Sequence, residues 1–253
     1  MKDSTSNFER RIIGSISAVI FIVIWKIFSG RIDAEIILPA PEDVFLRLLT
    51  IIGSRGFRLA VGSTALRIGW GFLLSFAAGF ITGIACGSSR RIDAALAPII
   101  SVIRTVPVMS VILLAMIWFQ TDGVPIFVCF LMVFPIITAN VRQGVDGVDP
   151  GLLGMGTSYN LSRTQILMNI TIPSVVPYVL AGLRASVGVA WKSVIAAEVL
   201  SQPIRAIGTG LQFAQMNLET AEVMAWTVAA IILSWISEKV LDLLVKKLKW
   251  RPA

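Results

Sequence analysis

DPGLLGMGTSYNLSRTQILMNITIP, Asp149 to Pro173, is a mostly polar, glycine-dotted segment set between two strongly apolar ones. It is too polar to cross a bilayer and too regular for a slack loop. From Leu153 to Ile170 it has the length of one or two short helices. Asn160-Leu161-Ser162-Arg163 reads as a break with a fresh N-cap, because Asn and Ser carry acceptors for free N–H groups. The simplest reading is a helix-turn-helix lying parallel to a membrane on its cytoplasmic side.

The flanking composition supplies the membrane. Of 253 residues, 56% are hydrophobic and 15% charged, where a soluble domain carries about a quarter charged; mean hydropathy is +0.82. Six stretches meet the requirement of roughly 20 apolar residues per crossing: 12–28, 59–87, 94–119, 124–140, 174–200 and 221–244. The expected fold is an all-α polytopic membrane protein, six transmembrane helices with the 149–173 loop between the fourth and fifth. The net charge of +7 sits in short clusters beside apolar runs, which encodes orientation rather than nucleic-acid binding. Lys2, Arg10 and Arg11, then Arg90 and Arg91, Arg142 and Arg163, and finally Lys246, Lys247, Lys249 and Arg251 mark one side. Gln120-Thr121-Asp122-Gly123 on the other has no basic residue. Both termini therefore come out cytoplasmic. In the outer loop 30–58, Arg31, Arg47 and Arg55 are accompanied by Asp33, Glu35, Glu42 and Asp43. Leu38-Pro39-Ala40-Pro41 is stiff there, and Pro41 suits the first turn of an interfacial helix bearing Val44, Leu46, Leu48 and Leu49.

Gly154, Asn160, Ile170, Ile172 and Pro173 are spaced in a way that resembles the cytoplasmic signature loop of binding-protein-dependent importer permeases, in which E-A-A, a glycine six residues after the Glu, and I-x-L-P recur. Gly154, Gly156 and Asn160 replace the Glu, the second Ala and the Gly. The run GLRASVGVAWKSVIAAE, Gly182 to Glu198, and the LP-x-P start at Leu38 resemble the branch carrying sulfonates, taurine, nitrate, bicarbonate and thiamine-precursor pyrimidines. The resemblance covers roughly 38–245, the permease core with its coupling loop (149–173); with the N-terminal helix and outer loop (1–37) read from the spans, 1–253 is expected to be one transmembrane domain. The resemblance also implies two permease copies, a cytoplasmic ATPase dimer gripping that loop through Gly154, Gly156, Tyr159, Asn160, Leu161, Ser162, Arg163 and Pro173, and an extracytoplasmic solute-binding protein. No cofactor is expected on this chain; ATP and Mg belong to the ATPase.

Within the spans, Arg104-Thr105-Val106-Pro107 frees a carbonyl and prevents a straight helix. It is either a packing kink or, with Met109, a bend shaping a path. Arg184, Trp191 and Glu198 recur every seven residues and share one narrow stripe, with Gly188 and Lys192 beside it. At membrane depth such charges snorkel from the ends, pair across helices or line the path. Gly79, Gly83 and Gly87 form a small-residue face for close helix packing. Cys86 and Cys129 lie in apolar runs and read as core residues. There is no histidine and no G-x-x-x-x-G-K-[ST] phosphate loop, so ATP hydrolysis by that route falls to another subunit. A lipid-processing intramembrane enzyme, which wants converging His, Asp or Glu, and a passive channel are the alternatives.

Overall fold

The computed structural model describes residues 2–32 and 34–247; Asp33 of the outer loop and Lys249 and Arg251 of the basic tail lie outside the described residues. Among the described residues eleven α-helices follow one another: α1 (Lys2–Ile32), α2 (Pro41–Gly53), α3 (Arg55–Ser88), α4 (Arg90–Thr105), α5 (Val108–Trp118), α6 (Gly123–Asp146), α7 (Pro150–Ser158), α8 (Arg163–Ile166), α9 (Ile172–Ser201), α10 (Ile207–Met216) and α11 (Thr220–Lys247). Among the described residues four helical stretches are long and apolar enough to cross a membrane: 12–32, 55–88, 123–146 and 163–201. The pair α4 and α5, bent by 97°, adds a fifth if it is one span. The predicted third crossing is thus two helices. Pro107 has no N–H to continue the ladder and biases Val106 to an extended backbone, observed at ψ 129°. The region of the sixth predicted crossing forms α11, whose last three turns carry Glu238, Lys239, Asp242 and Lys246.

The chain divides into two compact units, 1–58 with 210–229, and 59–209 with 230–253. In the first, Trp25 Nε1 donates to the Pro39 carbonyl at 3.1 Å and Ser29 Oγ to that of Leu38 at 2.9 Å, tying α1 to the Leu38–Pro41 corner. Pro41 opens α2 with Glu42 and Asp43 in its first turn, where acids suit the helix dipole. Val44, Leu48 and Ile51 turn inward, while Leu46 and Leu49 are exposed. Arg47 finds its partners far along the chain, pairing with Glu219 and, at 2.8 Å, with Glu222. Its hydrogen bond holds the Glu219 carboxyl below the usual carboxylate range.

In the second unit, α3 and α6 run side by side in the same direction. An added Cβ at Gly71, Gly79, Gly83 or Gly87 would meet Cys129, Ile137, Val141 or Val145 at 2.6–2.9 Å. Both series are spaced by multiples of four residues, so a ridge of larger side chains on α6 fills a groove of absent ones on α3. Cys129, Val133, Ile137 and Val141 join Ala190 and Val194 of α9 in a buried cluster covered by Phe72, Phe76 and Phe80. Against α6, α9 is antiparallel: Gly182 lies on Asn140 and Gly144 on Tyr178 and Val175. α11 is in turn antiparallel to α9, with Trp191 bonded to Ser237 and Arg184 to Asp242.

Gly83→Ala places a methyl group 2.6 Å from Val141 Cβ, and such overpacking costs about 1–3 kcal/mol. Gly69→Ala in the same helix meets nothing within 4 Å and gains helix propensity. The expected outcome is a lower thermal unfolding midpoint for Gly83→Ala and an unchanged or higher one for Gly69→Ala, read by tryptophan fluorescence in detergent.

Candidate functional site

The 149–173 segment is two capped helices around a tight elbow. Asp149 caps α7 by accepting from the Gly151 N–H at 2.7 Å. At its other end Asn160 adopts a left-handed backbone, φ 55°, and the Leu161 N–H reaches back to the Gly156 carbonyl at 3.0 Å. This stop favours glycine and tolerates asparagine. Asn160 therefore occupies a left-handed turn suited to the glycine of the resembled loop. Ser162 caps α8 in a capping box with Gln165: the Gln165 N–H donates to Ser162 Oγ at 3.3 Å, and Gln165 Oε1 accepts from the Ser162 N–H at 2.8 Å. The N-cap is thus Ser162, and Asn160 ends the preceding helix. α8 then widens into a π-helical stretch, Leu167–Thr171, before α9. Pro173 explains the widening, since it has no N–H and its ring crowds the carbonyl of Asn169.

Gly154, Ser162 and Arg163 are exposed, as is Tyr159 at 76%, while Leu161 and Pro173 are half-buried. Gly156 does not join them on an outward face. It is buried, with Ile166 and Ile170 both 3.1 Å from where its Cβ would stand, so it seats α8 against α7. Arg104, Pro107 and Met109 are exposed around the α4–α5 bend.

The Arg184–Trp191–Glu198 stripe stays on one side of α9 but meets different neighbours along its length. Arg184 is half-exposed and paired with Asp242 of α11 at 2.8 Å. Trp191 is buried and donates to Ser237 Oγ at 3.1 Å. Gly188 lies beside Glu238. Glu198 is fully buried. Both charges are paired across helices. Lys192 is exposed and makes no ion pair with a described residue.

Glu198 lies in a network that the stripe did not foretell. Arg67 of α3 donates through Nη1 to Glu198 Oε1 at 2.9 Å and to the Arg205 carbonyl at 3.0 Å, and through Nη2 to Asp122 Oδ1 at 2.5 Å. Thr64 Oγ1 lies 2.9 and 3.0 Å from the two Glu198 oxygens and accepts from the Ile207 N–H at 3.1 Å. The Gly208 N–H donates to Glu198 Oε2 at 3.2 Å. Gln202, left-handed at φ 47°, turns the chain back over the carboxylate. Gly208 has to be glycine there, because a Cβ would lie 2.5 Å from that of Glu198. An arginine inside the apolar 59–87 stretch was itself a signal of a buried partner. The partner, 131 residues away, was not readable.

Residues 75–251 match the model of the binding-protein-dependent transport system inner membrane component family. The chain belongs to this family. It is accordingly a multi-pass inner-membrane permease of an ATP-binding-cassette importer, a class that works with an ATPase and a solute-binding protein. It is 30% identical to the taurine transport system permease of Escherichia coli over 237 residues, 91% of this chain and 86% of that one. Identity to the nitrate import permease of Synechococcus elongatus is 32% over 192 residues, 72% and 68%. The fold matches a bacterial alginate ABC transporter solved with an alginate-bound periplasmic protein (TM-score 0.60, 15% identity, 94% of each chain). It also matches the inward-facing methionine transporter (TM-score 0.57, 16% identity, 75% of this chain and 95% of that one).

Removing one member of a buried ion pair strands the other and costs about 3–5 kcal/mol, whereas replacing both by apolar groups is far milder. Arg67→Met is therefore expected to destabilise the permease strongly, and Arg67→Met with Glu198→Leu to recover a large part of the loss. Denaturation midpoints of the two variants, with Glu198→Leu alone to close the cycle, check this.

Proposed function

We propose that this permease forms the membrane path for a small solute, a sulfonate, nitrate-like anion or small heterocycle delivered by an extracytoplasmic binding protein, and that 149–173 is its coupling loop. In this reading 1–253 is one transmembrane domain of six crossings with both termini cytoplasmic, and two copies enclose the path. A cytoplasmic ATPase dimer holds ATP and Mg and grips the exposed residues Gly154, Tyr159, Ser162 and Arg163; the permease itself does no chemistry.

The observation that carries the proposal is continuity. Helical structure runs from Arg163 to Ser201 over 39 residues, so force applied at the capped elbow travels along one rigid element to Glu198 and its partners. A change in ATPase spacing would tilt this lever and bias the path between its two openings. Parity supports the crossing number. α3 and α6 are parallel, so the bent α4–α5 pair between them returns the chain across the bilayer, and α9 and α11 then alternate. A lipid-processing enzyme fits less well, because the buried carboxylate of Glu198 already accepts bonds from Arg67, Thr64 and Gly208. A passive channel gives the capped loop no task.

Tyr159→Asp changes an exposed side chain and is expected to leave the purified permease monodisperse while it loses its ATPase partner and solute-stimulated hydrolysis. A coupled complex that survives the change refutes the lever. For topology, reporter fusions should read external at Asp122 and internal at Ala253; reversal of either signal overturns the six-crossing arrangement.

A further inference from the structure

α3, α9 and α11 leave an apolar groove of about 790 Å³ between them. Phe72 and Phe76 of α3, Leu183 and Val187 of α9 and Leu241 of α11 line its walls. Its rim is exposed at Leu73, Val240 and Leu244, so the groove opens sideways. The two polar side chains in its lining are already engaged: Trp191 Nε1 donates to Ser237 Oγ at 3.1 Å, and Ser237 Oγ donates to the Leu233 carbonyl at 2.8 Å. The walls therefore offer an occupant dispersion contacts and no free side-chain donor.

The groove is also short. Its longest wall, Ala65 to Phe76 on α3, runs about 16 Å at 1.5 Å per residue, half of the roughly 30 Å hydrocarbon core. A crossing helix needs the full depth, whereas an acyl chain occupies one leaflet. Charge marks one end. Leu244 closes the α11 wall two residues before the exposed Lys246. Lys247, Lys249 and Arg251 follow in the sequence, and no acid comes after Asp242. Arg184, beside Leu183 on the α9 wall, is paired with Asp242 at 2.8 Å, so the net charge at this end comes from the tail of α11. Four Lys/Arg directly beyond a membrane helix are a recognition element for anionic lipid headgroups.

We infer that the α3–α9–α11 groove is a binding site for an anionic phospholipid, one acyl chain lying between the three helices and the headgroup phosphate meeting Lys246 and the cations that follow it. This rests on the cytoplasmic C-terminus of the importer reading, which puts the basic tail at the leaflet where anionic lipid attracts it. The chain lies along Val187 and Trp191, and the bound lipid thereby braces the middle of α9 against α3 and α11.

Native mass spectrometry of the full permease, purified with its ATPase, stripped of lipid and titrated with phosphatidylglycerol or phosphatidylcholine of equal chain length, tests this. The unsubstituted chain is expected to retain one phosphatidylglycerol per permease copy and to prefer it to phosphatidylcholine. Gly69→Phe fills the groove from α3, where an added Cβ meets nothing within 4 Å, and Val240→Trp fills it from the exposed rim on α11. Each is expected to lose the retained lipid, while Gly69→Ala keeps it. Lys246→Gln with Lys247→Gln is expected to weaken phosphatidylglycerol roughly 25-fold, about fivefold per cation, and to leave phosphatidylcholine unchanged. Retention of phosphatidylglycerol by both filling variants overturns the inference, as does equal affinity for the two lipids. A lipid-free groove whose filling splits a pair of permease copies also overturns it, since a second copy is then the occupant. The Ala253 fusion and the Tyr159→Asp complex read the importer arrangement without reference to bound lipid, so the two readings fail separately.

Discussion

A charge brought into an apolar interior has to be matched there, and the Arg67–Glu198 pair meets that constraint with little to spare. The guanidinium is divided between a carboxylate that is fully buried and one, Asp122, that is 73% exposed. Thr64 and the Gly208 N–H take up the remaining capacity of Glu198. Four chain segments are thereby held to one point: α3, the turn before α6, the end of α9 and the loop that follows it. Such a pair contributes little net stability compared with apolar residues of the same volume. What it supplies is a definite arrangement, because any other register leaves a charge unmatched.

Glycine does the complementary work. Along α3 glycines at 71, 79, 83 and 87 let α6 approach within Cβ contact, and the dispersion gained depends on that closeness. Polar side chains inside the spans mostly return their hydroxyls to their own helix, as Thr138 does to Phe134 and Ser186 to Gly182. The Arg67–Glu198 network adds to long-range polar ties such as Trp191–Ser237 and Arg184–Asp242.

The proposed lever and the tie share a helix. α9 follows the π-widened stretch that Pro173 accounts for and carries Glu198 in its last turn. In the proposed coupling, a cytoplasmic motion reaches the membrane path through a stiff element anchored at its far end, and one helix would supply both.

Much of this was legible in the sequence because it depends on local chemistry. The apolar runs, the polar interruption at 149–173, the Pro107 break, the N-cap at Ser162 and the small-residue face of α3 each follow from residues a few positions apart. The break at Asn160 was visible too, though not its left-handed backbone. Tertiary structure alone decided which charges meet. Arg67 and Glu198, Arg47 and Glu219, and Arg184 and Asp242 are partners across tens to more than a hundred positions. Gly156 turned inward for the same kind of reason, since Ile166 and Ile170 reach it only after the elbow folds. Periodicity gives the direction in which a side chain points; what it meets there depends on how separate helices pack.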